Sequence, residues 1–518
     1  MLGRVDPQGS LLETRLMRRH LVTKGSVYER LADHGDEIVS DDDFAHLYAD
    51  RRGRPSVPPS VMVRALLLAT HDATSDRETS RRTRVDADWK AAMGVDDDFG
   101  GIGATTFSLF RARLVVDDAD QALFVKTLEA AIDAKVLRGK RRAIIDSSPV
   151  RGAGAVSDTY ELLRGFLAQA IRAGGEAFSA PTREVASPHI GEKPDIDWGD
   201  PKARASYLGD LVGAIKAVLA EARSIDDEAV GEAASHLAQV VDQDLEEGED
   251  GEAGIRRGVG KDRIVSSSDP EMRHGHKSSN RRFDGHKMDL VTDEETELVL
   301  GIAIRAGNAP DGEGAAPLLE AVQGTEGVEV GALLGDMAYS EGDVRVAVEE
   351  EGTTLLAKVP PVSNSGRFPK TDFFIDTEAG EVTCPQGEVT TDARPERDHK
   401  GRPGLRFVFP AQVCGTCPVR ADCVGGKAGR SVFVGVHEDR IAAARAAQAD
   451  PEVKALLRKR AKVERKIDHL QDLGMRKARF RGRRRTRLQA LLAATVANFS
   501  RLAVLGAFDQ APAPVMAA

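Results

Sequence analysis

Three carboxylates in this 518-residue chain have neighbours that suit metal-dependent chemistry. Asp146 directly follows the β-type run RRAII, and Asp336 directly follows VEVGALLG. Glu464 lies on a basic helix, four residues after Arg460 and therefore on the same helical face. The ends of strands in one sheet bring distant residues together, and carboxylate oxygens suit Mg²⁺ or Mn²⁺. The three acids predict a site for phosphodiester cleavage or transfer, although each alone also suits a capping or ion-pairing role.

The four cysteines form a second candidate site. They follow the spacing C-x29-C-x2-C-x5-C in a loop-rich segment, at Cys384, Cys414, Cys417 and Cys423. Four thiolates are the ligand set of a tetrahedral structural Zn²⁺, and such a closed set leaves no position for catalysis. Free thiols and redox use are the alternatives in a reducing compartment. The spacing favours structural zinc, which would stabilise a segment that has few apolar residues of its own.

Two cationic segments predict contacts to the DNA backbone. The first is a loop between the two aspartates, with the candidate ligands Arg273, His274, His276, Lys277, Arg281, Arg282 and Lys287. The second runs from Arg458 to Arg487, where 14 of 30 residues are Lys or Arg. Its candidate ligands are Arg460, Lys466, Arg479 and Arg481. Both segments suit phosphate contact more than base reading, and the alternative for both is an ordinary solvated surface.

The elements that must position these residues begin with N-terminal helices. Pro58 and Pro59 precede the apolar run VMVRALLLATHDA, which predicts a helix start. Further helices are predicted over 75–93 and, after the turn FGGIG, over 105–114. Short helices joined by Gly-rich turns indicate a helix-turn-helix-like unit, and we predict a helical DNA-binding domain over residues 1–135. The alternative is a small helical domain whose arginines are only solvated.

The remainder of the chain predicts an α/β fold with two insertions. Residues 136–360 contain β and then β-β-α-β-α-β patterns, which indicate a mixed sheet, interrupted by a helical insertion at about 158–260 with an acidic end. Residues 361–440 form the small cysteine-rich insertion, and basic helices at 441–506 complete the core. The tail at 507–518 is predicted to be disordered.

Composition excludes several classes of protein. Hydrophobic residues make up 41% and charged residues 30%, which is typical of folded domains. The net charge of −10 argues against nucleic acid as a partner, but the charge is segregated into acidic and basic stretches. We find no apolar run long enough to span a membrane and no secretory signal, so we expect a cytoplasmic protein without a membrane partner. Aromatic residues are only 5%, which disfavours base-stacking platforms.

Several blocks of the sequence, in order, resemble a known family. They are RRAIIDSSPVRGAGAVSDTYELLR, SSSDPEMRHGHKSSNRRFDGHKMDLVTDEETELVLGIAIRAGNAPD, LLGDMAYSEGDVR, CPQG with CGTCPVRADC, and VERKIDHLQDLGMRKARFRG followed by ANFSRL. With SVPPSVMVRALLLA they span most of residues 50–505. This set is similar to bacterial insertion-sequence transposases of the DDE class, in the branch that carries cysteines. The resemblance implies a ribonuclease-H-like catalytic domain.

The resemblance also implies a mechanism and a site. Asp146, Asp336 and Glu464 would be the metal-binding catalytic triad, with water cutting the transposon DNA and the freed 3′-hydroxyl attacking target DNA. The implied partners are double-stranded transposon ends with inverted repeats, target DNA and a second copy of the chain, at the nucleoid when bound. Relatives carry Tyr three residues before the Arg and Lys seven residues after the Glu, where this chain has Leu457 and Gln471.

Two other interpretations stay open on the sequence. One is a DNA-binding protein derived from a transposase that has lost catalysis. The other is a divalent-metal nuclease without strand transfer, which would use the same three acids and differ only in the fate of the 3′ end.

Overall fold

The structure, a computed structural model, describes residues 1–5, 20, 22–48, 54–248, 252–278 and 280–509. The predicted disordered tail therefore lies mostly outside the described residues. Within the described ranges, no helix has both the length and the apolar character needed to cross a membrane.

Six helices make up the described N-terminal region. They are α1 (Val27–Ile38), α2 (Pro59–His71), α3 (Asp76–Val85), α4 (Ala87–Met93), α5 (Ala104–Val116) and α6 (Ala119–Asp133). The Pro pair starts α2 as predicted, with Pro59 in its first turn. The single helix predicted over 75–93 is two helices, because the backbone is extended at Asp86 and its carboxylate accepts the N–H groups of Asp88 and Trp89. A helix therefore ends and another begins at one capping residue.

A six-stranded mixed sheet follows. Its strands are β1 (Lys140–Arg151), β4 (Arg273–Ser278), β5 (Arg281–Asp293), β6 (Val299–Ala306), β7 (Glu329–Gly335) and β8 (Thr354–Ala357). The short strands β2 (Leu245–Glu247) and β3 (Ala253–Ile255) belong to the first insertion. The order is β4-β5-β1-β7-β8, and β6 pairs with the same long β5 that pairs with β4. The ladders β1–β7 and β7–β8 are parallel, whereas those of β5 are antiparallel. Helices α11 (Ala315–Gln323) and α12 (Gly342–Glu350) connect the last three strands.

Two insertions have cores of their own. The first comprises α7 (Thr159–Gly174), α8 (Ala180–Ala186), α9 (Pro201–Ala222), α10 (Glu228–Asp244), β2 (Leu245–Glu247) and β3 (Ala253–Ile255). The second comprises β9 (Phe374–Asp376), β10 (Glu381–Thr383), β11 (Val389–Thr390), β12 (Ala393–Arg397), β13 (Pro403–Val408), α13 (Ala411–Gly415), α14 (Arg420–Cys423) and β14 (Ser431–Gly435). Its strands form two three-stranded sheets.

The C-terminal helices are α15 (Glu438–Ala447), α16 (Pro451–Lys459), α17 (Ala461–Leu470) and α18 (Arg483–Val504), with a π turn at Gln471–Met475. Helix α18 joins the N-terminal helices to the sheet, and both belong to one continuous hydrophobic core. Asn498 on α18 is fully buried and donates to Thr127 Oγ1 of α6 and to the Val299 carbonyl of β6. One amide therefore ties three elements together.

Candidate active site

The two aspartates of the predicted triad lie where the parallel pairing of two strands ends. The register of β1 with β7 runs from Lys140 opposite Glu329 to Ile144 opposite Leu334. Asp146 and Asp336 each lie two residues beyond that last pair. Because the two strands are parallel, the side chains of Asp146 and Asp336 lie at the same level of the sheet. Asp336 is close enough for its charge to raise the pKa of Asp146.

Asp146 lies inside β1 and not at its end, which corrects the sequence-based prediction. The strand continues to Arg151 because β5 is long enough to pair with it, with Leu290 opposite Asp146. Only the pairing with β7 stops at Ile144. The strand end that the sequence indicates is therefore the end of one ladder, while the other ladder continues.

The carboxylate of Asp146 is largely buried, with 17% of its side chain exposed. Burial raises the pKa of Asp146 to about 6, against the lowering effects of the Ser147 N–H and of the charges of Arg460 and Lys277. The Ser147 N–H donates to Asp146 Oδ1 at 2.8 Å. A burial-raised carboxyl beside a second acid is typical of catalytic and ligand-binding sites.

Glu464 reaches this site through Arg460. Arg460 Nη1 lies 3.0 Å from Asp146 Oδ2, and Arg460 Nη2 lies 3.0 Å from Glu464 Oε1. Helix α17 packs on β1 and β5 with Val463 and Ile467 buried, while Glu464 faces outward with 58% of its side chain exposed. One guanidinium thus joins the first and third predicted acids.

The two positions that depart from the family pattern have structural roles. Leu457 belongs to α16 and is buried on the apolar face of that helix. Gln471 donates from Nε2 to Ser148 Oγ of β1 at 3.0 Å. Neither side chain carries a charge.

A buried polar cluster behind the two aspartates was missed by the sequence analysis. Tyr339 is buried in the turn after Asp336, and its hydroxyl has no hydrogen-bond partner among the described residues. Burial and the charges of Asp289 and Asp311 raise the pKa of Tyr339 far above its usual range. Asp289 is itself fully buried and paired with Arg305. The sequence offered one clue, a Tyr three residues after a predicted catalytic Asp. No local pattern indicates that this Tyr is buried.

The four cysteines line one cavity of about 290 Å³ in the second insertion. The backbone N–H of Arg430 donates to Cys414 Sγ at 3.4 Å. Burial raises the pKa of the Cys423 thiol, and the other three cysteines raise it further, so the four sulfurs share one neighbourhood. Within the described residues, no group of three or more His, Cys, Asp or Glu side chains has the arrangement of a metal site.

Comparison with known proteins finds two family matches. Residues 383–503 match the family described as Transposase DDE domain, and residues 16–113 match the Transposase domain (DUF772). The resemblance to DDE-class insertion-sequence transposases is confirmed. The first match contains Glu464 and all four cysteines, whereas Asp146 and Asp336 lie outside both matches. The searches of curated proteins and of solved structures found no match.

Part of the predicted DNA-binding set of this chain is exposed. The predicted cationic loop is largely the β4–β5 hairpin, which pairs Arg273 with Gly285 at its base. Six members of the set are exposed, and apart from Arg479, which pairs with Asp76, they are His276, Lys277, Arg281, Arg282 and Arg481. None of these five forms an ion pair within the part of the chain that the structure describes. The hairpin reaches the acid site, because the charge of Lys277 lowers the pKa of Asp146.

The other predicted cations are paired inside the protein or are buried. Lys287 is buried and donates to Asp311 Oδ1 at 2.6 Å, and Arg273 donates to the carbonyls of Pro270 and Met272. His274 contacts Asp284. Burial lowers the pKa of Lys466 to about 8, and Arg479 pairs with Asp76 of α3. Because these cations are paired internally or buried, the set contributes less free positive charge to the surface than its composition indicates.

The basic segment before α18 lies against the end of β1. The Arg151 N–H donates to the Arg476 carbonyl at 3.2 Å, and the Ala478 N–H donates to the Arg151 carbonyl at 2.7 Å. Glu271, from the loop before β4, accepts the backbone N–H of Arg483 at 2.6 Å. The hairpin and the basic segment are thereby joined on one side of the molecule, next to the strand that carries Asp146.

Proposed function

We propose that this chain is a transposase that binds the terminal inverted repeats of its element and catalyses metal-dependent DNA strand cleavage and transfer. The observation that carries the proposal is the position of Asp146 and Asp336, level with each other where the β1–β7 ladder ends. Arg460 joins Glu464 to Asp146. Family membership supports an enzyme acting on DNA, and the acids supply the chemistry that such an enzyme needs.

The acids fit Mg²⁺ or Mn²⁺ by their chemistry. DDE transposases generally use divalent metal ions, and hard cations prefer carboxylate oxygens. Asp146 and Glu464 both pair with the guanidinium of Arg460. This pairing supports the view that the two carboxylates can stabilise a bound cation. Asp146, Asp336 and Glu464 would hold the ions, which when bound neutralise charge on the phosphate and lower the pKa of water.

The chain's own residues would orient the DNA and hold the acids in place. Ser147 fixes one oxygen of Asp146 through its backbone N–H. The exposed cations of the hairpin, Lys277, Arg281 and Arg282, together with His276 and Arg481, would contact phosphates beside the site. We also propose that the N-terminal helices bind DNA and that two copies of the chain act together, because two transposon ends must be joined.

We further propose that the four cysteines bind one structural Zn²⁺. The common cavity that the four thiols line and the N–H···S bond to Cys414 support this, since thiolates in a zinc site are commonly stabilised by such contacts. Zinc content of the purified full chain tests it, with about one zinc per chain expected. The Cys417→Ser variant should lose the metal, and the neighbouring Thr416→Ala variant should keep it. A chain without zinc, or a serine variant that retains it, contradicts the proposal.

The catalytic proposal is tested on labelled duplexes that carry the element's own ends. With Mn²⁺, the full chain should cut at the end and join the 3′-hydroxyl to target DNA, and Asp336→Asn should abolish both steps. Glu464→Gln should behave in the same way, whereas Asp468→Asn, exposed on the same helix, should remain active. Cutting without joining identifies a nuclease, and binding without cutting identifies an inactive DNA-binding protein.

A further inference from the structure

Arg460 occupies both of the acids that it joins. Its Nη1 donates to Asp146 Oδ2 at 3.0 Å, and the Ser147 N–H donates to Oδ1 of the same carboxylate at 2.8 Å. Its Nη2 takes Glu464 Oε1 at 3.0 Å. Both oxygens of Asp146 therefore have donors, and one of these donors is a side chain and not a backbone group. A cation that binds Asp146 through Oδ2 must first displace the guanidinium.

The backbone around Arg460 is held in place, so the exchange needs only a side-chain movement. Lys462 Nζ donates to the Glu294 carbonyl at 2.6 Å, and Lys459 Nζ lies 3.2 Å from Glu294 Oε1. Arg465 adds an ion pair with Glu297 at 2.9 Å. These contacts lie on both sides of Arg460, at the junction of α16 and α17. The guanidinium is 26% exposed and can turn outward from a fixed helix.

A DNA phosphate is the group best suited to take the guanidinium. Arginine can bind one phosphate with two parallel N–H donors, whereas here its Nη1 and Nη2 are divided between two carboxylates. Lys277 of the hairpin is close enough for its charge to act on Asp146, and the exposed cations of the same hairpin would bring a backbone phosphate towards the site. Transfer of Arg460 to phosphate removes a positive charge from the carboxylates at the moment when DNA arrives.

We propose that Arg460 couples metal binding to DNA binding: it competes with the divalent cation for Asp146 and Glu464 until a DNA phosphate takes its guanidinium. The inference rests on the proposed function, because it assumes that these acids bind the metal. By linkage, DNA must then tighten metal binding by the same factor by which metal tightens DNA binding. Metal affinity is therefore low in the free chain and higher in the DNA complex.

Manganese binding to the full chain without DNA tests this directly, with free Mn²⁺ followed by electron paramagnetic resonance. Arg460→Gln should bind Mn²⁺ about tenfold more tightly than the wild type, because two charge-assisted hydrogen bonds no longer compete. Arg458→Gln removes an exposed arginine of α16, two residues before Arg460, and should leave the affinity unchanged. Arg460→Lys, which keeps the charge but cannot contact both acids, should fall between the two.

Repeating the titration with a duplex of the transposon end completes the test. DNA should tighten Mn²⁺ binding to the wild type about tenfold and should have little effect on Arg460→Gln. Equal Mn²⁺ affinity of wild type and Arg460→Gln without DNA overturns the coupling. Asp146→Asn separates the two proposals: if it binds Mn²⁺ as well as the wild type, the acids are not the metal site and the proposed function fails. If it loses Mn²⁺ while Arg460→Gln is unchanged, only the coupling fails.

Discussion

Two cationic regions of similar composition behave differently in this molecule. The hairpin cations, His276, Lys277, Arg281 and Arg282, are exposed. The helix cations, Lys459, Arg460, Lys462, Arg465 and Lys466, are paired with acids of the sheet and of α17 or are buried. The hairpin therefore offers charge to a partner, while the helix uses its charge to hold α16 and α17 on the sheet. A high density of Lys and Arg indicates DNA binding only where internal acids leave the charge free.

Loss of Glu294 should have the largest effect on this comparison. Its side chain is 4% exposed and pairs with Arg142, Lys459 and Lys462. Glu294→Ala should lower the free energy of unfolding by about 3 kcal/mol, because three charge-assisted contacts are lost while the cations can return to water. Urea denaturation measures this. Glu295→Ala, at a side chain that is 76% exposed, is the control, and an equal loss there would show that the helix cations do not anchor the helix.

Lys466→Met should stabilise the protein by about 2 kcal/mol at neutral pH. Burial lowers the pKa of Lys466 to about 8, so below that pH the charged ammonium group destabilises the folded state. As pH rises from about 8 towards the unfolded pKa near 10.4, wild-type Lys466 loses its proton on folding and the advantage of methionine should shrink. Urea denaturation at pH 7 and pH 10 checks the sign. A gain that does not change with pH would contradict the buried charge.

Removal of two hairpin cations should weaken DNA binding with little effect on stability. The double variant Arg281→Gln, Arg282→Gln should bind duplex DNA several-fold less tightly. The slope of log K against log salt should become shallower by about two, since two phosphate contacts are lost. Fluorescence anisotropy over a salt series measures both quantities. An unchanged slope would mean that the hairpin does not lie on the DNA path.

The smallest effect is expected at Arg465, the exposed member of the helix cations. Arg465 is 62% exposed in its ion pair with Glu297, so Arg465→Gln should cost less than about 1 kcal/mol of unfolding free energy. It should also leave the salt slope of DNA binding unchanged, which makes it the matched control for the hairpin variant. A loss of slope equal to that of the hairpin pair would place the helix cations on the DNA as well.

Local patterns predicted the types of most elements. The start of α2 at a Pro pair, the helical character of the first insertion and the separate cysteine segment are all visible in short windows of sequence. The break at Asp86 was missed, because a capping side chain competes with a pattern that otherwise continues as one helix.

The amino-acid sequence by itself determined that three acids follow strand and helix patterns, that four cysteines lie in one segment and that cations concentrate in two stretches. Only the tertiary structure decided that Asp146 lies inside a strand, that Arg460 joins it to Glu464, and that Tyr339 lies beside the acids. The physical reason is the range of the interactions. Propensity and capping act over a few residues, whereas strand register, burial and the pairing of a charge depend on groups hundreds of residues away.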